Sequence, residues 1–281
     1  MGNDPARLRD LVAPDETGAR RLLSLPGCWD GFSALLVEQA GFEAAFVSGG
    51  AVSMARLGRP DIGLLSVVEI ADVVLQIRDR VSLPLVVDAD TGFGDAGNVA
   101  RTVCLFERAG ASAIQIEDQT FPKRCGHMAG KSVVPLEEAK ARLRAALDAR
   151  NDLLVVARTD ALAVEDLAAA LDRAEAFLEE GADWIFVEGP RDMAEAKEVC
   201  AKFVGRAPLV VNLVEGGVAP SRDGASLERI GFSVALHPLL LLHGLAAQAP
   251  RLLSTLRQER STESVADRIA DLAHMNRILG A

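Results

Sequence analysis

Eight short apolar runs of β character, separated by stretches of helical periodicity, constrain this chain more than any single motif in it. The runs are Arg21–Leu25, Ala44–Ser48, Leu85–Asp88, Ala113–Glu117, Leu153–Arg158, Trp184–Glu188, Leu209–Asn212 and Phe232–Leu236. Between them Ala, Leu, Glu and Arg recur at helical spacing, as in Asn98–Ala109, Leu136–Ala149, Val164–Glu180 and Met193–Phe203. Gly110 and Gly181 follow two of these stretches as C-terminal caps, and Asn98 and Asp166 stand where a helix needs a polar first residue. Eight strand–helix units in 281 residues predict an α/β chain with one (β/α)8 barrel domain over residues 1–281. An open doubly wound sheet is the alternative, because counting strands does not prove closure. Residues 1–20 are polar and read as a leader segment or a short capping helix. Beyond about Gln258 the spacing of Val265, Ile269, Leu272 and Ile278 predicts a helical tail that packs on the barrel or on a neighbouring subunit.

Charge and cysteine usage narrow the class. A formal charge of −10 argues against nucleic acid as a partner, since phosphate binding needs a basic face. A local group of cations still suits a small anionic substrate. Cys28, Cys104, Cys125 and Cys200 are scattered with no CxxC pair, which fits a reducing cytoplasm better than disulfides or structural zinc. No signal peptide opens the chain, and the most apolar stretch, Leu236–Ala247, is too short to span a bilayer. The expectation is a cytoplasmic protein with no membrane partner. Tyrosine is absent, so no chemical step can fall to a phenol.

The ends of the β runs carry the functional signal. They finish in Ser48-Gly49-Gly50, Asp88-Ala89-Asp90, Glu117-Asp118, Arg158-Thr159-Asp160, Glu188 and Asn212. In a (β/α)8 barrel those C-terminal ends meet at one mouth, where active sites lie. An isolated Asp90 or Asp160 reads equally well as a helix cap, but caps do not account for Glu117, Arg158 and Glu188 within or at the edge of strands. Asp88 and Asp90 lean to one face for as long as strand geometry lasts, and with Glu117 they form an all-oxygen group suited to Mg2+, or to Mn2+ in its place. Arg158 can take a carboxylate through two parallel hydrogen bonds; a buried ion pair with Glu117 or Glu188 is the competing use. The loop Phe121-Pro-Lys-Arg-Cys-Gly-His127 gathers Lys123, Arg124, Cys125 and His127, and a thiol among cations is fit for acid, base or nucleophilic work. His237 and His243 read as structural histidines on the last apolar helix, and His274 as a surface one.

These landmarks resemble the isocitrate lyase/phosphoenolpyruvate mutase superfamily. The resemblance rests on SGGAVSMARLGRPDIG (48–63), DADTGFG (88–94), IEDQTFPKRCGH (116–127), ARTDA (157–161), GADWIFVEG (181–189) and NLVEGG (212–217), which run in order along nearly the whole chain. It implies a (β/α)8 barrel whose eighth helix is swapped between subunits of a dimer-of-dimers homotetramer, with Mg2+ at the strand ends. It implies Asp88 as the direct metal ligand, with Asp61, Asp90 and Glu117 holding the metal's waters. Ser48, Gly49, Gly50, Gly126, Arg158 and Asn212 are then substrate contacts, and Cys125 is the acid on a loop that closes over the substrate. The cysteine places the chain with the carbon–carbon lyases. Phe46 and Val214 stand where 2-methylisocitrate lyases carry a tyrosine and a hydroxyl side chain, and this favours a second group, which includes lyases of substituted malates and many members labelled carboxyvinyl-carboxyphosphonate phosphorylmutase. The reaction expected is a retro-Claisen cleavage of a 2-hydroxy di- or tricarboxylate to pyruvate or glyoxylate plus a carboxylate. Arg158, Lys123 and His127 would supply positive charge, Cys125 the proton, and Glu188 or a water on the metal the base. Gly126 and Gly130 would let the 120–131 loop flex. The alternatives on the same scaffold are an oxaloacetate hydrolase or decarboxylase, a carboxyphosphonoenolpyruvate-type mutase, and a non-catalytic binding paralogue.

Overall fold

The β runs are apolar on both faces because each strand is covered twice. In the computed structural model, which describes residues 5–126 and 128–280, eight parallel strands close into a barrel in the order β1 to β8, with β1 bonded to β8. They are β1 (Leu23–Cys28), β2 (Ala45–Val47), β3 (Leu85–Asp88), β4 (Ala113–Glu117), β5 (Leu154–Thr159), β6 (Trp184–Val187), β7 (Leu209–Asn212) and β8 (Val234–His237). Alternate residues divide between two layers. Leu25, Phe46, Val86, Val156, Trp184, Phe186, Val210, Val234 and Leu236 fill the barrel interior. Val47, Leu85, Val87, Ile114, Val155, Ile185, Val187 and Val211 pack outward against the helices. Full burial of side chains such as Trp184 and Phe186 contributes roughly 1.5–3 kcal/mol each, which leaves little tolerance for a register slip.

The helices start and stop where side chains satisfy their ends. Asp95 caps Ala96–Ala109 by accepting from the Asn98 N–H, so the expected start at Asn98 lies two residues too late. Gly110, Gly181 and Gly231 end their helices in left-handed geometry. The expected helix Val164–Glu180 is two, Ala161–Val164 and Leu167–Glu180, separated by an extended Asp166 that caps the second. The N-terminal segment is a capping helix, Pro5–Leu11, whose Leu8 joins the interior cluster and closes the barrel end opposite the strand C-termini.

Two expectations for the last third of the chain are corrected. The tail is not one helix: it breaks into a 3-10 segment, Glu263–Arg268, and a separate helix, Leu272–Leu279, capped by Asp271. His237 is not helical but ends β8, whereas His243 does lie on the helix Leu240–Glu259, within reach of Glu215 at 3.7 Å. His274 is exposed, as expected. No helix among the described residues is long and apolar enough to cross a membrane.

Candidate active site

The two-residue period that fills the barrel also delivers the polar groups. Ser48, Asp88, Arg158, Glu188 and Asn212 each stand two positions beyond an interior residue: Phe46, Val86, Val156, Phe186 and Val210. Glu117 follows Gln115 in the same way. All therefore belong to the topmost interior layer, at the mouth formed by the strand C-termini. The register agrees, with Asp88 opposite Gln115 and Glu117 opposite Arg158.

Asp61, Asp88, Asp90 and Glu117 form the acidic side of this layer. Asp88 and Asp90 do not share a face through strand geometry, because the strand ends at Asp88 and Asp90 takes a left-handed φ of 46°. They converge nevertheless: the Asp90 N–H donates to Asp88 Oδ1 at 3.2 Å, and both carboxylates crowd Gly49, where a Cβ would lie 3.1 Å from Asp88 Oδ2. Gln115, unremarked in the sequence, donates to Asp88 Oδ1 at 3.3 Å. Lys123 reaches in from its loop and bridges Asp61 Oδ1 at 2.5 Å and Asp90 Oδ1 at 2.6 Å. Burial pushes Asp88 and Glu117 up from the ordinary carboxylate range, and pushes Asp90 up to about 7 against the pull of Lys123. Burial works against the charge on Lys123 too, but Asp90, Asp61 and Asp88 outweigh it and hold the ammonium well above its usual value. Lys123 thus serves the carboxylates, and its neighbourhood to Cys125 in sequence is not where its charge is spent.

Arg158 forms the basic side. Its guanidinium makes two hydrogen bonds to Asp160, at 2.9 and 3.0 Å, and lies 3.3 Å from Glu117 Oε2, 3.4 Å from Glu188 Oε2 and over the Phe186 ring. Both pairings weighed from the sequence are present, and the strongest partner, Asp160, was not among them. Behind it, Asp118 accepts from the Asp160 N–H at 2.9 Å and from Thr159 Oγ1 at 2.7 Å, and Arg173 backs Asp118 at 3.4 Å. Asn212 Nδ2 donates to Glu188 Oε2 at 3.2 Å. Ser48 caps the short helix Gly49–Val52, accepting from the Ala51 N–H.

The 120–131 loop lies over this layer. Gln119 brackets Arg124, donating to its carbonyl and accepting from its N–H, and the Cys125 N–H donates to the Asp61 carbonyl at 3.1 Å. Gly126 is seated on the Arg158–Glu188 pair: a Cβ there would lie 2.5 Å from Arg158 Nη2 and 2.8 Å from Glu188 Cδ. Gly130 adopts a φ of 80°, in the left-handed region that favours glycine. Ser48, Gly50, Asp61, Asp88, Gln115, Cys125, Gly126, Arg158 and Asn212 share one cavity with an apolar wall that includes Phe46, Met54, Val214 and Leu239. Gly49, Asp90, Glu117, Lys123 and Glu188 stand directly behind that lining. His127, expected to aid charge stabilisation, lies outside the described residues. Asp160, read from the sequence as a strand-end acid or a helix cap, proves to be the main partner of Arg158, and its side chain caps nothing. Lys131 was missed because it sits neither at a strand end nor in the cysteine motif. Only the fold brings Lys131 to Asp160.

No three His, Cys, Asp or Glu side chains among the described residues are disposed to hold an ion by themselves. The acidic side suits instead a hydrated hard cation, held by one carboxylate directly and by others through water. Six carboxylates (Asp61, Asp88, Asp90, Glu117, Asp160 and Glu188) meet three cations (Lys123, Lys131 and Arg158), and Glu117 Oε1 is buried without a hydrogen-bond partner. A divalent ion here would offset two of the three excess negative charges and offer Glu117 Oε1 a partner.

The phosphoenolpyruvate phosphomutase family matches residues 16–249 of the chain. A 2,3-dimethylmalate lyase from Eubacterium barkeri is 35% identical over 280 residues, covering 99% of this chain and 94% of the lyase. A 2-methylisocitrate lyase from Salmonella typhimurium is 40% identical over 248 residues, covering 87% of this chain and 83% of that enzyme. Among solved structures, oxaloacetate acetylhydrolase in complex with 3,3-difluorooxalacetate superposes with a TM-score of 0.91 at 31% identity, over 99% of this chain and 93% of that one. Phosphonopyruvate hydrolase, solved with oxalate and Mg2+, gives a TM-score of 0.85 at 29% identity, over 100% of this chain and 95% of the other.

Proposed function

The chain belongs to the phosphoenolpyruvate phosphomutase family, within the superfamily of isocitrate lyase, and on that premise we propose that it is a carbon–carbon lyase for substituted malates. The substrate is a 2-hydroxy dicarboxylate, and the products are a 2-oxo acid (pyruvate or glyoxylate) and a carboxylate. One observation carries this reading. Arg158 is the one cation among the described residues lining the cavity, and the wall beyond it is apolar, with Phe46, Met54, Val214 and Leu239. That wall accommodates an alkyl substituent, whereas the third carboxylate of 2-methylisocitrate would be buried there without a partner. The kinship to a 2,3-dimethylmalate lyase supports the same choice.

Asp88 would hold Mg2+ directly, with Asp61, Asp90 and Glu117 bonded to its waters; Mn2+ suits the same oxygen set. When bound, the ion supplies Lewis-acid polarisation of the oxygen that becomes the product carbonyl. The protein's own groups do the rest. Arg158, Ser48 and Asn212 orient the carboxylates, with Gly126 closing over them. Glu188, fully buried beside Arg158 and Asn212, takes the hydroxyl proton. The adjacent carbon–carbon bond then breaks, and its electrons pass to the departing carboxylate as an enolate stabilised by the fixed charge of Arg158. Cys125, above the cavity, gives its thiol proton to the carbanion carbon. Opening of the loop releases both acids and lets solvent return the proton from Glu188 to the thiolate.

A panel of 2,3-dimethylmalate, 2-methylisocitrate, oxaloacetate and phosphonopyruvate, assayed with and without EDTA, tests the proposal. Expected is EDTA-sensitive release of a 2-oxo acid from the substituted malate. Preferential hydrolysis of oxaloacetate, or phosphonate chemistry seen by phosphorus NMR, would replace the lyase reading. The helix Leu240–Glu259 has no buried residue in the single chain and exposes Leu245, Leu253 and Leu256. We infer that a second copy covers it, within a helix-exchanged homotetramer.

A further inference from the structure

Lys131 lies five residues beyond Gly126, outside every motif by which the site was read. Its ammonium is nonetheless almost wholly withdrawn from solvent, with 4% of the side chain exposed. It donates to the Gly126 carbonyl at 2.5 Å and to Asp160 Oδ1 at 2.7 Å. Asp160 in turn holds Arg158 through two hydrogen bonds, and Gly126 rests on the Arg158–Glu188 pair. One lysine thus ties the segment that carries Cys125 to the carboxylate that orients the substrate-binding guanidinium. The buried ammonium spends two of its N–H groups on these two partners, one on the loop and one on the site. The loop's other fastenings described above, Lys123 to Asp61 and Asp90, Gln119 to Arg124 and the Cys125 N–H to the Asp61 carbonyl, do not engage Arg158.

We propose that Lys131 is a positioning residue for the reaction: bonded at once to Gly126 and Asp160, it fixes the closed loop over Arg158 and so holds the Cys125 thiol at the substrate. This deepens the lyase reading and rests on it for the role of the thiol. Removing the ammonium leaves Arg158 in place and, with the Cys125 N–H bond to the Asp61 carbonyl kept, loosens the Cys125–Gly126 segment from Asp160. Loss of a buried charged hydrogen bond is of a size that corresponds to roughly 10-fold to 100-fold in a conformational equilibrium.

The test is site-resolved alkylation of Cys125 by iodoacetamide, read by peptide mass spectrometry, in wild type, Lys131→Met and Lys131→Arg. With no ligand added, Cys125 should react about tenfold faster or more in Lys131→Met than in wild type, with Lys131→Arg between them. Mg2+ with oxalate should protect the thiol in wild type and much less in Lys131→Met. In turnover the loss should fall mainly on kcat, with the arginine variant partly restored. Equal alkylation rates in wild type and a folded Lys131→Met would overturn the proposal. Should the methionine variant melt early, the arginine variant carries the comparison, and wild-type reactivity there would overturn it equally. If wild type cleaves no 2-hydroxy acid, the lyase reading fails, while the ligand-free alkylation rates still decide the role of Lys131.

Discussion

Replacing Asp160 by asparagine probes the charge network that orients Arg158. Asp160 is fully buried and accepts two bonds from Arg158 and one from Lys131. Burial alone would raise its pKa, but Arg158 and then Lys131 outweigh that and hold the carboxyl down to about 2, from an ordinary 3.8. The folded-state value is depressed, so the contribution to stability is fully present above the unfolded value and is lost as pH falls from 3.8 towards 2. At about 1.36 kcal/mol per pH unit, this pH-dependent part is on the order of 2 kcal/mol. Asparagine keeps the shape but leaves Arg158 and Lys131 short of a counter-charge, so at pH 7 the variant should be destabilised by roughly 2–4 kcal/mol. Urea denaturation of both proteins at pH 7, 5, 4 and 3 gives the gap directly. It should be constant from pH 7 to 5 and narrow below 4, as wild-type Asp160 begins to take up its proton. A gap that is absent at pH 7, or that fails to narrow in acid, would show that Asp160 is not the ionised anchor described here.

Gly126→Ala should leave the fold within about 1 kcal/mol of wild type yet cost turnover roughly 100-fold, because the added methyl meets two buried side chains and holds the loop off Arg158; kinetics alongside thermal melting checks this. Cys125→Ser should lower kcat by about 100-fold or more while oxalate binding, measured by calorimetry with Mg2+, is kept. Retained activity would remove the thiol from the acid role. Leu253→Glu, on a helix with no buried side chain, should shift the assembly to smaller species in analytical ultracentrifugation, and a wild type that sediments as a monomer would contradict the covered-helix inference.

Much of the barrel was legible because its strands are short, apolar and buried on both faces. Such runs stand out against helices whose polar residues recur every turn. β3, β4 and β7 were bounded to the residue, since Asp88, Glu117 and Asn212 end the apolar run where the strand ends. β1 and β8 were started two residues early, and ended three and one residues early, because Pro26 and Gly27 in the one and His237 in the other interrupt the pattern inside the strand. The split of Ala161–Val164 from Leu167–Glu180 was hidden because both pieces share one apolar period, and only the extended backbone at Asp166 separates them.

The sequence by itself determined which residues face inward. A strand side chain's face follows from parity, so Ser48, Asp88, Glu117, Arg158, Glu188 and Asn212 were tied to one layer once closure was accepted. Only the tertiary structure decided which of them touch. That Lys131 reaches Asp160, that Lys123 spends its charge on Asp61 and Asp90, and that Gly126 rests on Arg158 and Glu188 depend on where loops cross the barrel mouth. Loop paths answer to long-range packing and buried charge rather than to local periodicity, so no reading of neighbours along the chain contains them.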